Sequence, residues 1–200
     1  MTAFLGICLL GALLELDTTY AFQLTFSRGI IAGPLLGLLA GDVLTGLQVG
    51  VFTELLFIDI NPLGGMLPPS AAVCCTLSMA LYALNIPIYF AFFFGVIGSI
   101  LFSVCEIFVR KRRGNWIVHE EQKIHQRPSR MNQTVIRALG MSFAGNLLFV
   151  LIVGLAIGPS FVKLLAHLPE QLQLAGRFAY MAVPWIGLAT LISAFRLKTR

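Results

Sequence analysis

Apolar residues run along this chain in long blocks: about Thr2 to Leu14, Gly29 to Ile60, Ala71 to Leu84, Ile86 to Val109, Thr134 to Gly158 and Phe178 to Phe195. One hydrophilic insertion, RKRRGNWIVHEEQKIHQRPSR, separates a longer N-terminal group of blocks from a shorter C-terminal one. No polar stretch is large enough to fold alone. The pattern predicts an all-α polytopic membrane protein with three parts: an N-terminal membrane region over residues 1–109, a basic loop over 110–133 and a C-terminal membrane region over 134–200.

The Gly29 to Ile60 block has 32 residues, which as one helix would be about 48 Å long against about 30 Å of hydrocarbon. It has to tilt, bend or turn back. Gly41-Asp42 is one place to turn, and Asn61-Pro62 stops whatever helix follows, because proline removes a donor and disfavours helix at the residue before it. Gly64, Gly65, Pro68 and Pro69 then keep the backbone irregular. Such backbone survives at membrane depth only where protein buries it or where it lines a wet cavity. A transmembrane bundle with re-entrant or discontinuous helices around residues 29–70 is therefore expected. Gly33, Gly37, Gly41, Gly46 and Gly50 recur at helical spacing, and tight packing within the chain is the expected use of them, ahead of a dimerisation face. The mixed segment from Pro159 to Gly176, interrupted by Pro169, is expected to lie as an amphipathic helix at the outer interface.

Composition agrees with a membrane protein: 58% of the 200 residues are hydrophobic and 12% charged, where a soluble domain carries about a quarter charged. The N-terminal block lacks a basic stretch before it and is followed by acids, so it reads as a retained first span and not a cleaved signal. The net charge of +5 does not mark a nucleic-acid partner. Seven of the fourteen basic residues lie between Arg110 and Arg130, and Arg196, Lys198 and Arg200 close the chain. Lys and Arg collect in cytoplasmic loops, which places both stretches on the cytoplasmic side with two crossings between them. Attraction of the basic loop to anionic membrane lipids accounts for the cluster without a further partner. Cys8, Cys74, Cys75 and Cys105 have no metal or redox spacing and are expected to be buried and reduced.

Candidate chemistry concentrates in GDVLTGLQVGVFTELLFIDINPLGGMLPPS, residues 41 to 70. An acid at the centre of a span costs about 2.5–3.5 kcal/mol on insertion scales, so Asp42, Glu54 and Asp59 cannot all face lipid. Asp42 and Asp59 are equally readable as helix caps near an interface. Glu54, inside GVFTELLFI, is the strongest candidate for a substrate pathway. Thr45, Gln48, Asp59 and Asn61 surround it in sequence, with Phe52 and Phe57 to cover an apolar face; the inventory suits a neutral polyhydroxylated ligand and equally a coupling ion.

The same stretch, preceded by SRGIIAGPLLGLLA, resembles enzyme IIC of the mannose/sorbose family of the bacterial sugar phosphotransferase system. The likeness rests on Arg28, Gly41, Asp42, Thr45, Gly46, Gly50, Glu54, Asn61, Gly64, Gly65, Pro69 and Ser70. It implies a sugar permease subunit in a bacterial inner membrane, paired with a membrane subunit IID in a hetero-oligomer and moving sugar by an elevator-like alternating access. It also implies that phosphoryl transfer is done by IIA and IIB components, leaving this chain with no cofactor, no metal and no catalytic residue of its own. By that likeness Glu54 and Asn61 contact sugar, Asp42 and Arg28 hold the fold, and the family continues through further apolar segments beyond Arg200.

Two other readings compete. A non-transporting scaffold or regulator would keep the fold and bind partners through the basic loop, and an ion-coupled secondary transporter would use Glu54 or Asp59. A membrane enzyme is disfavoured because His119, His125 and His167 lie in polar or interfacial stretches without catalytic or metal spacing.

Overall fold

The structure is a computed structural model and describes residues 1–19, 23–60, 67–126, 131–166 and 169–198. Seven helices and no strands are found among the described residues: α1 Thr2–Thr19, α2 Gly29–Ala40, α3 Val43–Phe57, α4 Ala71–Tyr82, α5 Ile88–Gln126, α6 Met131–Ala166 and α7 Glu170–Lys198. Among the described residues, three stretches are long and apolar enough to cross a membrane: Ile88–Gly114, Met131–Ala156 and Glu170–Ser193. By contrast, α2 and α4, with 12 residues each, reach only about 18 Å, well short of the ~30 Å hydrocarbon core. The long apolar block is thus a pair of short helices.

Its turn follows from two residues. Gly41 takes a left-handed conformation (φ 81°) that ends α2, and the backbone N–H groups of Gly41 and Asp42 donate to the carbonyls of Leu38 and Gly37, a Schellman closure that satisfies the last carbonyls of the helix. Asp42 then starts α3 by accepting the Thr45 N–H at 3.0 Å, the usual service of an N-cap acid. The two helices close on glycine. A methyl group at Gly46 would stand 2.7 Å from the Gly37 Cα, and one at Gly29 would stand 2.7 Å from the Gly50 carbonyl oxygen. These glycines therefore serve packing within the chain, backbone against backbone.

Helix α4 is the centre of the bundle, with every residue from Ala72 to Leu81 buried. Its two buried hydroxyls are satisfied within their own helix: Thr76 and Ser78 donate to the carbonyls four residues back, as Thr and Ser commonly do inside helices. Small neighbours let other helices close on it; Gly11 of α1 abuts Thr76, and Gly95 of α5 abuts Ser78. Cys8, Cys74 and Cys75 are buried as expected, but Cys105 is exposed on the outer face of α5.

Contacts along the helices fix two ends. Ser70, before α4, touches Glu15 late in α1, whereas Tyr82, closing α4, touches Asp42. Gly154 lies against Phe4, Gly176 against Tyr89 and Gly187 against Leu55, so α6 rises from the Ser70 end and α7 returns to it.

Two further expectations are revised. The basic stretch expected as a loop continues α5 as helix through Gln126, because Arg, Lys, Glu and Gln are good helix formers and no proline intervenes before Pro128. The interfacial helix expected over 159–176 does not form as a unit: α6 runs on to Ala166 and α7 starts at Glu170. The break falls at Pro169, whose carbonyl accepts the first N–H bonds of α7.

Candidate functional site

The predicted site residues separate into three places. Asp42 and Thr45 sit at the hairpin tip, where the Asp42 carboxylate accepts the Thr45 hydroxyl at 2.6 Å and the Tyr82 hydroxyl at 3.1 Å. These bonds and the N-cap bond occupy the acid with its own neighbours. Gln48 and Asp59 are exposed. Gly46 lies in the α2–α3 contact. Asn61, Gly64, Gly65 and His167 lie outside the described residues, as do the side chains of His119 and His125.

Glu54 stands at the other end of α3 from Thr45. It bridges to Arg28 at 3.0 Å and accepts the N–H of Gly29 at 2.8 Å, so one carboxylate both caps α2 and holds the guanidinium beside it. The ion pair is a weak tie, since the Arg28 side chain is 65% exposed and such pairs contribute about 0–1 kcal/mol. The backbone bond, at the positive end of α2, is the firmer one.

Arg28 opens onto a half-open cavity of about 490 Å³, where α1 ends, α4 begins and α5 passes. Its wall carries Glu15, Arg28, Pro69, Ser70, Phe102, Ser103, Glu106 and Arg110. Glu15 and Glu106 are only 7% and 8% exposed. The Ser70 hydroxyl donates to Glu15 and accepts the Val73 N–H as the cap of α4. Arg110 donates to Glu106 at 3.1 Å. Ser103 donates to the Ser99 carbonyl. Carboxylate and hydroxyl acceptors, guanidinium donors and one phenyl ring therefore border a space within the ~300–1,000 Å³ of small-molecule sites.

Sequence reasoning did not single out Glu15, Ser70 or Glu106 as a group. Each acid is nonetheless marked, because a carboxylate in or at the edge of an apolar run, LLELD or SVCEIF, has to find polar company in the fold. Among the described residues no group of His, Cys, Asp or Glu is arranged to hold a metal ion.

With that geometry in hand, comparison with known proteins is informative. The family model described as PTS system sorbose-specific IIC component matches residues 1–199. The chain belongs to the sorbose-specific IIC family. This IIC chain is also 39% identical over 46 residues to "Putative N-acetylgalactosamine permease IIC component 2" of Escherichia coli (strain K12), a stretch covering 23% of this chain and 35% of that protein. The match thus spans about a third of the relative's length. A solved structure described as "Structure of membrane protein" superposes with a TM-score of 0.74 at 22% identity, covering 96% of this chain and 77% of the other. At that identity the likeness shows the fold alone: the arrangement of short and long helices is shared with another membrane protein.

Proposed function

We propose that this IIC chain is the sugar-translocating subunit of a phosphoenolpyruvate-dependent phosphotransferase system, with the cavity between α1, α4 and α5 as its sugar site. The observation that carries the reading is the pair of buried carboxylates, Glu15 and Glu106, facing one space with Ser70 and Arg110. Acids in a membrane bundle mark substrate pathways, and this set offers hydroxyl groups both acceptors and donors. Phe102 covers the apolar face of a pyranose ring. Glu54 enters through Arg28, whose guanidinium it holds at the cavity wall.

Sidedness follows from charge. Arg110 lines the cavity and begins the basic stretch, so the positive-inside rule turns this end of the bundle toward the cytoplasm of a bacterial inner membrane. There the sugar meets IIA and IIB phosphocarriers, which perform the phosphoryl transfer, while a IID membrane subunit covers part of the apolar surface. The glycine-packed α2–α3 hairpin is the stiff body that moves in alternating access.

Uptake of labelled sugars into cells supplying IIA, IIB and IID tests the reading. Glu15→Gln is expected to lower uptake about 10- to 100-fold, the range of a lost hydrogen bond to a charged group, at unchanged membrane level. Removal of the phosphoryl donor is expected to stop uptake. Uptake that persists without donor and follows a pH gradient would instead make the chain an ion-coupled transporter; wild-type uptake by Glu15→Gln would remove the cavity from the pathway.

A further inference from the structure

Asp17 is a further acid at the cavity end of the bundle and takes no part in the wall. It is 7% exposed and lies in the last turn of α1, where the helix dipole disfavours a negative charge. Its position is explained by what it accepts: the Leu24 N–H at 2.7 Å on one oxygen and the Ser27 N–H at 3.3 Å on the other. The segment so held is strained. Gln23 and Thr25 have φ of 49° and 66°, a left-handed conformation that a Cβ, and above all a branched one, makes costly. Immediately after it the Arg28 N–H donates to the Thr25 carbonyl at 3.0 Å, and Arg28 reaches both Glu54 and the cavity.

We infer that Asp17 is a positioning residue: its carboxylate clasps Leu24 and Ser27 on either side of the left-handed Thr25 and just after the left-handed Gln23, and thereby sets Arg28 at the mouth of the cavity. Two acids from different helices divide the task. Asp17 fixes the backbone leading into α2, and Glu54 fixes the first N–H of α2 and the Arg28 side chain. Loss of the clasp lets Gln23 and Thr25 relax to ordinary φ values, which swings Arg28 away from Glu54. The consequence for sugar affinity rests on the permease reading; the clasp itself does not.

The test separates the two. In a Cys105→Ser background, which removes the exposed thiol, Ser27→Cys keeps the N–H that Asp17 accepts and reports opening by its maleimide labelling rate. Adding Asp17→Ala is expected to speed labelling about tenfold, as for a local opening made easier. Further adding Gln23→Gly and Thr25→Gly, which adopt the left-handed path without a Cβ, is expected to return the rate to within about threefold of the starting protein. Without the reporter cysteine, Asp17→Ala is expected to raise the KM for sugar about fivefold with maximal uptake kept, the signature of lost binding and not of lost turnover, and the glycine pair to reverse it. Labelling unchanged by Asp17→Ala, or faster labelling that the glycine pair does not slow, overturns the clasp. Labelling that behaves as expected while KM stays fixed keeps the clasp and removes Arg28 from sugar binding. Should Asp17→Ala fail to accumulate in the membrane, Asp17→Asn, which keeps one acceptor oxygen, is read in its place with an expected rate between the two.

Discussion

The two ends of α4 hold polar clusters of similar make-up in opposite condition. At the Tyr82 end, Asp42 is closed on Thr45 and Tyr82, and its bonds hold the hairpin turn and tie it to α4. At the Ser70 end, Glu15 and Glu106 border a space of about 490 Å³. A second cavity, of about 410 Å³, adjoins Tyr82, but its wall is Ala40, Tyr82, Ala83, Asn85, Ile86 and Pro87, without a charged side chain. An acid in an apolar sequence therefore has two distinct places, one in holding a turn and one in lining a cavity, and residue type does not tell them apart. Only the neighbours supplied by packing do.

The sharpest way to break the comparison is to remove the body that links the two ends. Gly46→Ala places a methyl group 2.7 Å from the Gly37 Cα and even closer to the Gly33 carbonyl; backbone cannot yield as a side chain does, and the expected loss is about 3 kcal/mol or more, read as a large drop in folded, detergent-resistant protein. Gly145→Ala, where an added methyl meets nothing within 4 Å, is the matched control and is expected to leave stability unchanged or slightly raised, as Ala replaces Gly in a helix. A smaller effect is expected at the closed cluster. Asp42→Ala removes an N-cap worth about 1 kcal/mol, seen as a lower melting temperature, while KM for sugar stays within about twofold. Smallest of all is Gln48→Ala, an exposed position, expected to stay within about ±0.5 kcal/mol and to transport normally.

Much of the fold was legible before any coordinates. The turn at Gly41-Asp42 is written in a residue that tolerates φ 81° followed by one that caps, and the glycine spacing announces the close contact that Gly33, Gly37, Gly46 and Gly50 make, while Gly41 meets no neighbour and serves the turn alone. Hydropathy points to a loop over the basic stretch because it reports solvent exposure, not backbone state, whereas Arg110 to Gln126 is polar and helix-forming together. The cavity was the least legible feature. Ser70 is 55 residues from Glu15, and Glu106 is a lone acid in a third apolar run, so no local window contains two of them. Arg28 and Glu54, 26 residues apart, stood out singly in the sequence, yet their pairing depends on α2 and α3 folding back through a single turn.

The central claim, that the ligand occupies the Ser70 end of α4, is tested most directly by sugar protection of introduced thiols in a Cys105→Ser background. Ala71 lines the cavity beside Glu15 and Ser70, and Asn85 lines the one at the opposite end. Saturating transported sugar is predicted to slow maleimide labelling of Ala71→Cys and to leave Asn85→Cys unchanged. Protection of Asn85→Cys with none at Ala71→Cys would contradict the account.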